Sequence, residues 1–106
     1  MVTVKCNKKG NRHKITIEGH AEYNPGLDIV CSAVSMLSFT LLQALKNEHE
    51  NGNLRYFFMH HDSGNVHIVA DTKKLFCERL QTIINTIFLG FELLAAKYPE
   101  NVELLR

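Results

Sequence analysis

Gly19-His20-Ala21-Glu22-Tyr23-Asn24-Pro25-Gly26-Leu27-Asp28-Ile29-Val30-Cys31-Ser32-Ala33-Val34-Ser35 reads as the end of a strand, a short loop and the start of a helix. Ile15 and Ile17 alternate with Thr16 and Glu18 just before it, the period of a half-buried strand. Pro25 and Gly26 break that pattern. Asp28 is a good helix N-cap, since its oxygens can accept from the unpaired N–H groups of a first turn, and an apolar helical run follows it. His20 therefore leaves a strand end and Cys31 opens a helix, both facing one loop. A histidine so placed can serve as a base and a cysteine as a nucleophile.

Working outward, Val2, Val4 and Cys6 alternate with Thr3 and Lys5 in a first strand, and Lys8-Lys9-Gly10-Asn11 is a turn into a second strand over residues 13–20. After the loop, Val30, Val34, Leu37, Leu41, Ala44 and Leu45 recur at helical spacing, predicting a helix from Ile29 to about Glu48. Cys31, Ser35 and Ser38 form a narrow small-and-polar stripe on it. His49 to Asn53 is a linker. Tyr56 to Met59, with Leu54 at its start, is a third strand. Asp62-Ser63-Gly64-Asn65 is a hairpin turn, and Val66, Ile68 and Ala70 mark a fourth strand. Asp71 or Thr72 is expected to cap a second helix reaching Lys97, in which Gly90 costs about 1 kcal/mol relative to alanine unless close packing compensates. Val102 to Leu105 is a candidate closing strand. The order β-β-α-β-β-α(-β) predicts a two-layer α+β fold: a mostly antiparallel or mixed sheet with two helices packed on one face.

The 106 residues suit one domain, 1–106, with one core, and the 45% apolar fraction is ordinary for a globular protein. A formal charge of +1 points to neither a nucleic acid nor a membrane surface. No signal pattern and no apolar stretch long enough to span a bilayer are read. Cys6, Cys31 and Cys77 are odd in number and widely spaced, which argues against a disulfide framework or structural zinc site and fits a reducing cytoplasm.

The chemistry concentrates at the loop. The thiolate is the nucleophilic form of cysteine, and helix N-terminal N–H groups favour an anion there and offer an oxyanion hole. Asp28 has two roles open to it: capping the helix, or orienting His20 as a third member. Ser35, one turn past Cys31, either supplies a hydroxyl or simply allows tight packing. Cys6 and Cys77 read as packing residues. His60, His61 and His67 raise a metal site, but His60 and His61 point to opposite faces of a strand. Tyr56, Phe57 and Phe58 read as sheet core or as an aromatic wall for an apolar peptide.

The run GHA…G.DIVCSAVS, from Gly19 to Ser35 and including Gly26 and Asp28, resembles the signature of the bacterial ribosomal-processing cysteine proteases, the Prp family. The resemblance implies a cysteine endopeptidase with His20 as general acid/base and Cys31 as nucleophile. It implies removal of an N-terminal leader from large-subunit ribosomal protein twenty-seven after an apolar, phenylalanine-rich segment. It further implies a homodimer, a mobile loop between the two residues, and no metal or other cofactor. Pro25 stiffens that loop, and Ser32 stands where the family pattern has a small residue such as alanine. Two other readings are a phage-type protease acting on a capsid protein leader and a non-catalytic ribosome-associated binding or assembly factor. A third is a thiol-dependent hydrolase or transferase of small acyl compounds.

Overall fold

A computed structural model describes residues 1–106. Strand β1 (Val2–Lys9) and strand β2 (Arg12–Gly19) form an antiparallel hairpin in register from Val2 opposite Gly19 to Lys9 opposite Arg12. Helix α1 (Ile29–Glu50) follows the loop, then strands β3 (Leu54–Asp62) and β4 (Asn65–Thr72), helix α2 (Cys77–Lys97) and strand β5 (Val102–Leu105). The five strands are ordered β3-β4-β2-β1-β5, all neighbours antiparallel except β5, which lies parallel to β1. The α+β expectation of a mixed sheet with two helices holds.

Strand alternation sends one set of side chains to the helices. Val4, Ile15, Ile68 and Ala70 from the sheet are fully buried with Leu41 and Leu45 of α1 and Ile84, Phe88 and Phe91 of α2. The helices also meet each other at Gly90, where a Cβ would stand 2.6 Å from Leu37 Cδ2. Absence of a side chain there is what lets α2 approach α1, the compensation its helix-weakening backbone requires. By length and composition both helices could cross a bilayer, contrary to the sequence expectation. Here they are core helices: each lays its apolar stripe on this sheet, and buried Glu48 of α1 is paired with Arg79 of α2 and accepts from Asn53 Nδ2 at 2.8 Å.

Two further expectations are corrected. Asp71 and Thr72 do not cap α2; they remain in β4, opposite Arg12 and Leu54, and the Thr72 hydroxyl donates to the Asn53 carbonyl at 3.2 Å. A 3-10 turn (Lys74–Phe76) intervenes, and α2 starts after Phe76 with no side-chain cap. The aromatic run of β3 is also split by the pleat. Phe57 packs on the core, while Tyr56 and Phe58 lie half-exposed on the open face, under the Arg12 guanidinium and against the His67 ring respectively.

Candidate active site

The antiparallel hairpin ends β2 beside the start of α1. His20 lies one residue beyond β2 and is exposed; Cys31 lies in the first turn of α1 and is half-buried. Both line one open cavity of about 220 Å³. Ser35 and Ser38 line it too, so the polar stripe read along α1 faces the cavity; the buried Ser38 hydroxyl donates to Val34 O at 2.7 Å. Val2, Ile17, Val34 and Val66 make its floor apolar, and Phe39 supplies the aromatic wall that the β3 run does not. The volume exceeds the ~150 Å³ of a cavity known to hold a benzene ring.

Asp28 and Gly26 lie in the loop and not on the cavity wall. The Asp28 carboxylate accepts from three backbone N–H groups: Cys31 at 2.9 Å on Oδ1, and Tyr23 at 2.9 Å and Asn24 at 3.2 Å on Oδ2. These bonds, that from Cys31 first, hold its carboxyl below the usual 3.8. Of the two roles open to Asp28, its bonds fill the cap and none reaches His20. The same bonds take up part of the helix start: Cys31 N–H is held by the Asp28 side chain, and Ser32 N–H makes the first helical bond to Asp28 O at 3.0 Å. An oxyanion that uses the Cys31 N–H must therefore displace Asp28 from it.

The loop is tied down elsewhere as well. Asn101 Nδ2 donates to Ala21 O at 2.8 Å, and the Tyr23 and Tyr98 rings meet edge to face at 5.3 Å. Neither anchor, Asn101 or Tyr98, has a local signal in the sequence. The β3–β4 turn, a plain hairpin turn by sequence, is also part of the site: Asp62, Ser63, Gly64 and Asn65 all line the cavity. The histidines read as possible ligands disperse. His60 sits opposite His67 with its Nε2 3.3 Å from Asp62 Oδ2, whereas His61 meets Phe39 edge to face, and none joins a metal-ligating cluster.

The family model of the cysteine protease Prp matches residues 1–103. The chain belongs to the Prp family of cysteine proteases. It is similar in fold to the S. aureus ribosomal processing protease Prp in complex with a covalently linked product peptide, at 23% identity and TM-score 0.72 over 99% of this chain and 98% of that one. The same S. aureus protease with a substrate peptide matches at 21% identity and TM-score 0.68, over 98% and 97% of the two chains. A Streptococcus mutans protein matches at 26% identity and TM-score 0.66, over 99% and 94%. No curated protein matches the chain. A Prp-family protease carries its chemistry on a cysteine, and Cys31 is the one of three cysteines that shares a cavity with a histidine.

Proposed function

We propose that this protease uses Cys31 as nucleophile and His20 as general acid/base to remove the N-terminal leader of large-subunit ribosomal protein twenty-seven. The observation that carries the reading is the shared cavity: thiol and imidazole on one wall system, over an apolar floor with room for an aromatic side chain. That floor suits a scissile bond preceded by an apolar residue. The S. aureus relative was solved with substrate and product peptides, which supports a peptide occupant here.

In the proposed reaction the Cys31 proton passes to His20 and Sγ attacks the scissile carbonyl. The oxyanion forms at the helix start, where the dipole favours it. His20 protonates the leaving amine as the C–N bond breaks. Water, deprotonated by His20, then releases the acyl group and restores the thiol. Ser35, on the same wall one turn along, offers a hydroxyl to the bound peptide. Asp28 and Gly26 shape the loop.

The protein is further taken to work as a cytoplasmic homodimer. Supporting the dimer are the exposed Met36 of α1 and Leu89 and Leu93 of α2, apolar side chains a second copy would cover.

The test is cleavage of a peptide carrying the ribosomal leader by wild type, Cys31→Ala and His20→Ala. Cleavage by wild type alone is expected. Cleavage by Cys31→Ala would overturn the assignment, and an inert wild type with reduced thiols would point to another substrate, such as a capsid protein leader.

A further inference from the structure

If Asp28 is committed to backbone donors, some other feature must hold the imidazole. The carboxylate that does line the cavity, Asp62, is turned to His60. The β3–β4 turn does hold His20. Gly19 N–H donates to Gly64 O at 2.8 Å, tying the backbone just before His20 to the turn. A Cβ placed on Gly64 would stand 2.7 Å from His20 Nε2, 2.8 Å from Cε1 and 3.4 Å from Cδ2. The Nε2–Cε1 edge of the ring therefore packs into the space a side chain at position 64 would fill. Gly19 itself has φ +100° and a Cβ there would meet Met1 O at 2.3 Å, so the backbone just before His20 runs close against the first residue of the chain.

We propose that Gly64 is a positioning residue of this protease: the β3–β4 turn is the seat of the His20 imidazole, and the missing side chain of Gly64 sets where the ring lies over the cavity. The proposal rests on His20 being the general acid/base. A seat of this kind does by packing what a third-member carboxylate does by hydrogen bonding. Any side chain at position 64 must push the ring off. The imidazole can yield by rotating about its own side-chain torsions, so the fold survives and the reactive nitrogen moves. A displacement of about 1 Å in a reacting group costs on the order of 100-fold in rate.

Gly64 also has φ +75°, which strains any L-residue. Gly10 (φ +61°) and Gly52 (φ +77°) have the same backbone sense with nothing within 4 Å of their Cβ positions, so Gly10→Ala and Gly52→Ala report the strain alone. The experiment measures kcat and KM on the leader peptide for wild type, Gly64→Ala, both controls, His20→Ala and the Gly64→Ala/His20→Ala double variant. It also records, in wild type, the nuclear Overhauser contact between the Gly64 α-protons and the His20 Hε1. Expected are a fall of about 100-fold in kcat for Gly64→Ala with a smaller change in KM, near-wild-type rates for the controls, no further loss in the double variant, and a clear Overhauser contact. Absence of that contact overturns the seat whether or not Gly64→Ala folds. A Gly64→Ala enzyme as fast as its controls, with His20→Ala inactive, overturns the seat alone. Wild-type rates in His20→Ala overturn the dyad and the seat with it.

Discussion

His13 is the polar side chain that the core treats least kindly. It is 2% exposed on β2, facing the helices, and its Nδ1 has no hydrogen-bond partner. Burial above all, then the nearby Lys8 and Arg106 charges, push its pKa below 6.5, with Asp71 opposing. The unfolded chain takes up this proton near the ordinary value and the folded chain only lower, so the effect on stability is nil above that range and grows as pH falls through it. The melting temperature of wild type is expected to fall more steeply between pH 7 and pH 5 than that of His13→Leu. Equal slopes would mean that the ring finds a partner when charged. A second residue-scale contrast separates the thiols. Burial pushes the Cys6 thiol up, with the Arg106 charge opposing, which keeps it protonated and slow to react. Iodoacetamide followed by mass spectrometry should label Cys31 well before Cys6; the reverse order would argue that Cys31 is merely packed. His20, Cys31 and Asp28 were legible because strand end, loop and helix start are adjacent in sequence, so spacing alone places them. Gly64, Asn101 and Tyr98 were not, since they arrive through pairings 44 or more positions away that no local period encodes.

Between the two helices, the link that matters most is Glu48 with Arg79. Glu48 is 3% exposed near the end of α1, and besides Arg79 only Asn53 satisfies its carboxylate. Arg79→Ala leaves that acceptor buried and under-partnered, at a cost of about 2 kcal/mol, which in a domain of this size lowers Tm by roughly 10 °C. Thermal unfolding checks it, and Glu48→Gln on the Arg79→Ala background should recover part of the loss because the charge is gone. A Tm unchanged in Arg79→Ala would show that the pair is only a surface contact. Elements with one clear period, such as β1, β2 and α1, could be read to within a few residues. The start of α2 could not. Asp71 and Thr72 have the residue types of a helix cap, yet cross-strand partners on β2 and β3 claim them, and tertiary pairing overrides a local preference. The aromatic run of β3 misled for the same kind of reason: a pleat of period two divides neighbours between faces whatever their shared chemistry.

As a whole the molecule is a single sheet with one covered face, and its charges are sorted along the strands. Lys8, Lys9, Arg12, Arg55, Lys73 and Lys74 gather at the end where β1 turns into β2 and β4 leaves for α2. Glu18, Glu22, Asp28 and Asp62 gather at the opposite end with His20 and Cys31. The net +1 thus conceals two poles, which a total charge cannot reveal. Sedimentation should give a particle of twice 12.1 kDa, with Leu93→Glu shifting it towards the single-chain mass if α2 is in the interface. A wild-type particle of one chain mass at tens of micromolar would remove the homodimer from the proposed function.

The Asn101–Ala21 hydrogen bond has a consequence in time. Its two ends are 80 residues apart, and β1 acquires its β5 neighbour from the same late segment. At about 5–20 residues per second of synthesis, the strand that leads to His20 waits roughly 4–16 s for the residue that fastens the loop behind it. During translation the thiol and imidazole are made early and assembled last. A nascent chain therefore carries this loop unfastened until Asn101 is made and β5 is laid beside β1.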